Sequence, residues 1–238
     1  MERLQKKIAN SGYTSRRKAE ELIKAGHVYV NNKMITELGY KVTDKDEIRI
    51  DNEIISKEDK VYYLLNKPRG YISSTKDEKD RKTVVDLIDT DKRIFPVGWL
   101  DYDTTGAIIL TNDGELAILL THPKNEIDKV YIAKINGFLT KEQISALRNG
   151  VTIDDFKTSK AKVRIKSYDR KKDTSIIEIT IHEGKNHQVK NMFKQIGKEV
   201  LKLKREKIAF LNVNNLAPKE YRRLTPKEIK KLYSIIKM

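Results

Sequence analysis

The chain has 238 residues, no cysteine, 49 lysines and arginines against 34 aspartates and glutamates, and a formal charge of +15. Disulfides, thiol nucleophiles and thiolate metal sites are thereby excluded, and a charge excess of this size points to a polyanionic partner held through phosphate contacts. With 38% hydrophobic and 35% charged residues the composition is that of a folded protein with a wetted surface, although a lysine-rich genome would raise the charge too.

The first 57 residues read as a small α+β module. Leu4 and Ile8 stand four apart, as on a short helix that Ser11-Gly12 breaks. Ser15 is placed to cap a second helix, with Ala19, Leu22 and Ile23 on its inner face and Gly26 at its end. Residues 28–30 and 47–50 read as strands, and Asn31-Asn32 as a hairpin turn, because Asn tolerates positive φ. Arg3, Arg16, Arg17 and Lys18 make this module basic. The polar stretch SKEDK at 56–60 reads as a linker, so domains of 1–57 and 61–238 are expected.

In the second part, VYYLLN at 61–66 reads as a buried strand, and Lys67-Pro68-Arg69-Gly70 must then turn. Residues 71–95 are polar and irregular, with one short helix near 84–87. AIILT within FPVGWLDYDTTGAIILTNDGEL is a strand, and GWLDYDTTG before it is a loop bounded by glycines. Helices are expected at 115–121 and 141–148, and strands at 129–137, 161–168 and 174–182. The result is an α+β chain whose larger domain holds a mixed, largely antiparallel sheet flanked by helices. A last helix is predicted over 186–197, with Asn186 as cap, Gly197 just past its end, and Val189, Met192, Phe193 and Ile196 facing inward. Lys190, Lys194 and Lys198 share another face, where like charges repel by a few tenths of a kcal/mol per pair. A row of phosphates would explain that spacing; a solvated lysine face is the other reading.

Loop 98–106 carries Asp101 and Asp103. A loop held between strands is a good platform for a reactive carboxylate, but Asp is also an ordinary turn former. Side chains two apart do not by themselves make the paired carboxylates of a glycosidase. The four histidines, His27, His122, His182 and His187, show no i, i+4 pair, and no metal site is expected. No apolar run approaches the roughly 18 residues that span a bilayer, and the charged start MERLQKKIANSGY lacks a leader core. A cytoplasmic protein without a membrane partner is expected.

The segment RLQKKIANSGYTSRRKAEELIKAGHVYVNN, followed by DEIRID, resembles an S4 RNA-binding module. Four later segments resemble, in order, the motifs of the RsuA/RluB-type ribosomal RNA pseudouridine synthases: LNKPRG at 65–70, PVGWLDYDTTGAIILTNDGEL at 96–116, HPKNEIDKVYIAKINGFLT at 122–140, and EGKNHQVKNMFKQIGKEVLKLKREKIAFL at 183–211. The resemblance covers most of the chain and leans toward enzymes acting on the large subunit. It implies isomerisation of a uridine to pseudouridine, without cofactor or metal. Asp101 would be the essential aspartate, Tyr131 would stack on the target base, Lys190 would pair with the aspartate, and Leu203 would line the pocket. The partner would be ribosomal RNA or a subunit assembly intermediate, and the enzyme a monomer. RNA contacts are expected from Arg3, Arg16, Arg17, Lys18, Lys67, Lys185, His187 and Lys194.

Two departures bear on activity. The family usually has Arg at position 99, where this chain has Trp99, which can fill the gap left by a flipped base but supplies no charge. The last motif often reads Arg-Gln-Val-Arg-Arg-Met and here reads His187-Gln188-Val189-Lys190-Asn191-Met192, which keeps a cation without the guanidinium fork. A catalytically weak or inactive RNA-binding assembly factor on the same fold is the alternative. The residue types leave open whether Asp101 acts as nucleophile or as base.

Overall fold

A computed structural model describes residues 1–236. By its internal contacts the chain divides into two compact units: Met1–Val61 with Thr90–Ile94 and Asn112–Gly114, and the remainder. The two short segments contributed by the later sequence are not marked by any composition shift.

The first unit contains β1 (Glu2–Arg3), α1 (Leu4–Asn10), α2 (Arg16–Lys24), β2 (Val28–Val30), β3 (Lys33–Met34), β4 (Lys41–Val42), β5 (Ile48–Ile50) and β6 (Glu53–Ile54). Ser15 caps α2 by accepting from the Lys18 backbone at 3.2 Å. Asn31 and Asn32 turn β2 into β3 with φ of 49° and 64°. The strands run β3-β2-β5-β6, and β1 pairs β4. Leu4, Ile8, Ala19, Ile23, Val28, Ile48 and Ile50 close the core, as the periodicities predict.

The second unit is built on β7 (Tyr62–Lys67), β8 (Phe95–Val97), β9 (Thr105–Thr111), α3 (Gly114–Thr121), β10 (Lys129–Asn136), α4 (Lys141–Asn149), β11 (Thr152–Ile153), β12 (Phe156–Lys157), β13 (Lys162–Asp169), β14 (Thr174–Ile181), α5 (Gln188–Gln195), β15 (Val200–Ile208), β16 (Leu211–Asn212), β17 (Tyr221–Arg223) and α6 (Pro226–Ile236). The main sheet runs β13-β14-β10-β15-β9-β7-β17, antiparallel except where β15 meets β9. β14 alternates as expected, with Ser175, Ile177, Ile179 and Ile181 buried. Ala107, Ile108, Ile109 and Leu110 are all buried, which is why AIILT shows no alternation.

The parallel junction depends on Gly106. Its φ is +109°, and a Cβ there would lie 2.1 Å from the Arg205 carbonyl oxygen. Only glycine lets the start of β9 come this close to β15, and that contact carries the preceding loop to its place beside β15. Among the described residues no helix is long and apolar enough to cross a membrane.

α5 buries Val189, Met192 and Phe193, as the spacing predicts. Its start differs from the expectation. The capping position is His187, in the left-handed region at φ 51° and without a side-chain cap bond, rather than Asn186. The helix ends at Gln195, so Lys198 lies beyond it and the lysine row is not continuous.

Candidate active site

The loop between β8 and β9 is held by its main chain. Lys67, at the end of β7, is fully buried and donates to the carbonyls of Pro68 at 3.2 Å, Asp101 at 2.9 Å and Thr104 at 2.9 Å. Arg205, on β15, donates through Nε to the Ala107 carbonyl at 2.8 Å and through Nη1 to the Trp99 carbonyl at 3.3 Å. Ser73 Oγ bonds both the carbonyl (2.9 Å) and the amide (3.0 Å) of Leu100. The Gly70 amide donates to the Tyr102 carbonyl at 2.9 Å.

On this support the Asp101 side chain is 17% exposed, and its Oδ2 lies 2.9 Å from Lys190 Nζ. Lys190 also bonds Asp103 at 2.7 Å. His187 Nε2 stands 3.5 Å from the other Asp101 oxygen, and Thr104 Oγ1 lies 3.4 Å from Oδ2. Burial works against the charge on Lys190, but hydrogen bonds to Asp103 and Asp101 outweigh it and raise its pKa. Asp103 is pushed down, first by the Lys190 hydrogen bond. Lys190 therefore stays a cation beside the carboxylates.

These groups open on a cavity of about 490 Å³ lined by Trp99, Asp101, Tyr131, Lys190, Leu203, Phe156 and Lys185, among others. Tyr131 and Leu203 are both 8% exposed. Five expected site residues, Asp101, Tyr131, Lys190, Leu203 and Trp99, thus share one cavity though they are spread over the sequence from β8 to β15. Trp99 is 53% exposed, while its carbonyl rests on the buried Arg205. A cation does stand under position 99, but it comes from β15.

One RNA-contact expectation, Lys67, is overturned, and the row of lysines on α5 is broken. Lys67 is not a surface lysine: its chain turns inward to the loop carbonyls, and burial lowers its pKa from 10.5 to about 8. His187, expected to contact RNA, has a half-exposed ring that also faces Asp101. Lys190 does not join Lys194 in a phosphate row, since both its near partners are carboxylates. Lys194 is exposed, and so is Lys185, whose Nζ sits 4.1 Å from the centre of the Phe156 ring. Arg3, Arg16, Arg17 and Lys18 are exposed in the first unit, Lys18 paired with Glu21 at 2.8 Å.

Sequence reasoning missed Arg205 and Lys129. Both line the cavity. Arg205 is 4% exposed, and its Nη2 has no hydrogen-bond partner among the described residues. Lys129 donates to the carbonyls of Ile127 and His182, each at 2.8 Å, and burial, with Arg205 nearby, lowers its pKa to about 8. The available signal was strand phase: in LKLKREK, Arg205 falls in step with the buried Leu203.

Residues 61–195 match the RNA pseudouridylate synthase family, and residues 2–48 match the S4 domain. The chain is 53% identical to the ribosomal large subunit pseudouridine synthase B of Bacillus subtilis, over 99% of this chain and 97% of that one. It is 35% identical to the dual-specificity RNA pseudouridine synthase RluF of Escherichia coli, over 98% of this chain and 79% of that one. A solved pseudouridylate synthase aligns with a TM-score of 0.70 at 31% identity, over 98% of this chain and 100% of that one.

Proposed function

The chain belongs to the RNA pseudouridylate synthase family, and on that premise we propose that it isomerises one uridine of large-subunit ribosomal RNA to pseudouridine, with Asp101 acting at the sugar C1′. One observation carries the reading: the Asp101 carboxylate is held 2.9 Å from a lysine in the wall of a cavity that an aromatic ring also lines.

The uracil must leave C1′ through N1, turn over and rejoin through C5, without the detached base being lost to water. A carboxylate at C1′ serves this either as a nucleophile or by taking a sugar proton. Either route needs the ionised form, which Lys190 favours and His187 supports when protonated. The Tyr131 ring offers a face on which the detached base can stack, and Leu203 gives the cavity an apolar wall. Extruding the base from its stack costs a few kcal/mol, least where the RNA is already looped. Trp99, half exposed on the loop, is suited to fill the gap it leaves.

Residues 1–57 serve as the RNA-binding module through Arg3, Arg16, Arg17 and Lys18, and residues 61–238 carry the chemistry, with Lys185 and Lys194 contacting phosphates. The protein acts as a monomer in the cytoplasm, on ribosomal RNA or an assembling subunit. The test is pseudouridine mapping of ribosomal RNA from source cells lacking the gene, complemented by wild type or by Asp101→Asn. One position should lose its pseudouridine and regain it only with wild type. If no position changes, the RNA-binding assembly factor becomes the better reading.

A further inference from the structure

Strands β13, β14, β10 and β15 lie side by side, and one of their faces is covered by α4 and α5. Val163, Ile177, Ile179, Ala133 and Leu203 are buried on that face, and Tyr131 and Leu203 line the cavity from it. Side chains alternate along each strand, so the intervening residues point to the reverse face. The pairing register sets them in three rows. Lys162, Thr180, Val130 and Lys207 form the first. Arg164, Glu178, Ile132 and Lys204 form the second, and Ser167, Ile176, Lys134 and Lys202 the third.

Among the described residues this face is left uncovered in part: Val130, Ile132 and Ile176 keep some of their surface open, and Arg164 and Lys202 are exposed. Glu178, its carboxylate in the middle row, is already paired with Lys166 at 3.4 Å. Among the described residues Arg164, Lys134, Lys202 and Lys204 make no ion pair. Lys134 and Lys202 are direct cross-strand partners, an arrangement that destabilises a sheet. Lysine is depleted in protein–protein interfaces, whereas a grid of cations about 5 Å by about 7 Å suits a phosphate backbone.

We propose that this reverse face of the sheet is a second RNA-docking surface, which holds the phosphate backbone of the substrate RNA away from the segment that enters the cavity. The inference rests on the reading of RNA as substrate. Because the cations point away from the cavity, a short stem-loop that fills the cavity does not reach them, and a long folded RNA does.

The experiment compares wild type with the triple variant Lys134→Gln, Lys202→Gln, Lys204→Gln in the full chain. Two probes are used: in vitro transcribed large-subunit ribosomal RNA, and a short stem-loop cut around the uridine identified by mapping. On the long RNA the variant should bind about tenfold or more weakly at 0.15 M salt, with a log–log salt slope shallower by about 2–3. On the stem-loop its affinity and turnover should match wild type, and its thermal midpoint should be equal or higher, since like charges are removed. Unchanged binding to both RNAs overturns the proposal and leaves an acidic protein as the partner of this face. An equal loss on both probes also overturns it, as a general electrostatic effect. Failure of wild type itself to bind or modify either RNA would refute the reading of function instead.

Discussion

Replacing Lys67 by methionine would separate two opposing effects of one buried ammonium. The side chain is fully buried, and burial lowers its pKa from 10.5 to about 8. At pH 7 that shift opposes folding by about 3 kcal/mol. Methionine removes this penalty but leaves the Asp101 and Thr104 carbonyls without their 2.9 Å donor. Each buried carbonyl so orphaned costs about 1–3 kcal/mol, so the net effect at pH 7 should lie between a gain of about 1 kcal/mol and a loss of about 3 kcal/mol. The pH dependence is sharper. An unfolded lysine keeps its proton until pH reaches about 10.5, whereas the folded one releases it near 8. Between these values unfolding takes up a proton, and stability rises with pH. Wild type should gain about 2–3 kcal/mol from this residue between pH 7 and pH 10, and the methionine variant none of it. Titrations common to both proteins cancel in the difference. Equilibrium unfolding in guanidinium chloride at the two pH values measures it. A gap between the proteins that stays the same at both pH values would refute the reasoning.

Other substitutions probe the site and its support. Lys190→Met removes the cation 2.9 Å from Asp101 and should lower the single-turnover rate by about 10–150-fold, the equivalent of one charge-assisted hydrogen bond, with Lys190→Arg retaining most activity. Release of tritium from RNA labelled at uracil C5 reads that rate, and an unchanged rate in Lys190→Met would remove the lysine from the chemistry. Gly106→Ala places a Cβ 2.1 Å from the Arg205 carbonyl oxygen and should destabilise the fold by about 3 kcal/mol or more, seen in thermal unfolding. Trp99→Ala should weaken RNA binding or slow turnover by about tenfold through lost stacking, without moving the thermal midpoint. A Trp99→Arg variant that turned over orders of magnitude faster at unchanged RNA affinity would show that the tryptophan is not serving as a wedge.

The elements that depend on local pattern were legible in the sequence. Leu4 and Ile8 mark α1, Ser15 marks the start of α2, Asn31-Asn32 mark a turn, and the alternation of TSIIEITIH marks β14. The location of Asp101 on a glycine-bounded loop was equally plain. What the sequence hid are the long-range consequences of chain path. Lys67, flanked by Pro68 and Arg69 in a turn, looks like surface, and only the packing of β7 against β9 points its ammonium under the loop. His187 begins a helix among lysines, and nothing local shows that a left-handed φ of 51° accompanies a ring 3.5 Å from Asp101. Arg205 was obscured by its neighbours, since one buried guanidinium in a lysine-rich strand is betrayed only by its phase. The departure at position 99 looked like a lost charge, because the sequence could not reveal a cation arriving from β15.

The loop that bears Asp101 is gripped by its carbonyls and amides, through Lys67, Arg205, Ser73 and Gly70, as well as by the buried Leu100 and Thr104 and the Lys190 pairs of its two aspartates. At its exposed positions, where only the main chain is held, its posture is thus largely independent of its spelling. Trp99 and Tyr102 are each more than half exposed, so either position can change its residue without disturbing the hydrogen bonds that aim the carboxylate. Such a scaffold gives evolution a place to experiment: target preference can drift at the loop surface while the chemistry beneath stays fixed.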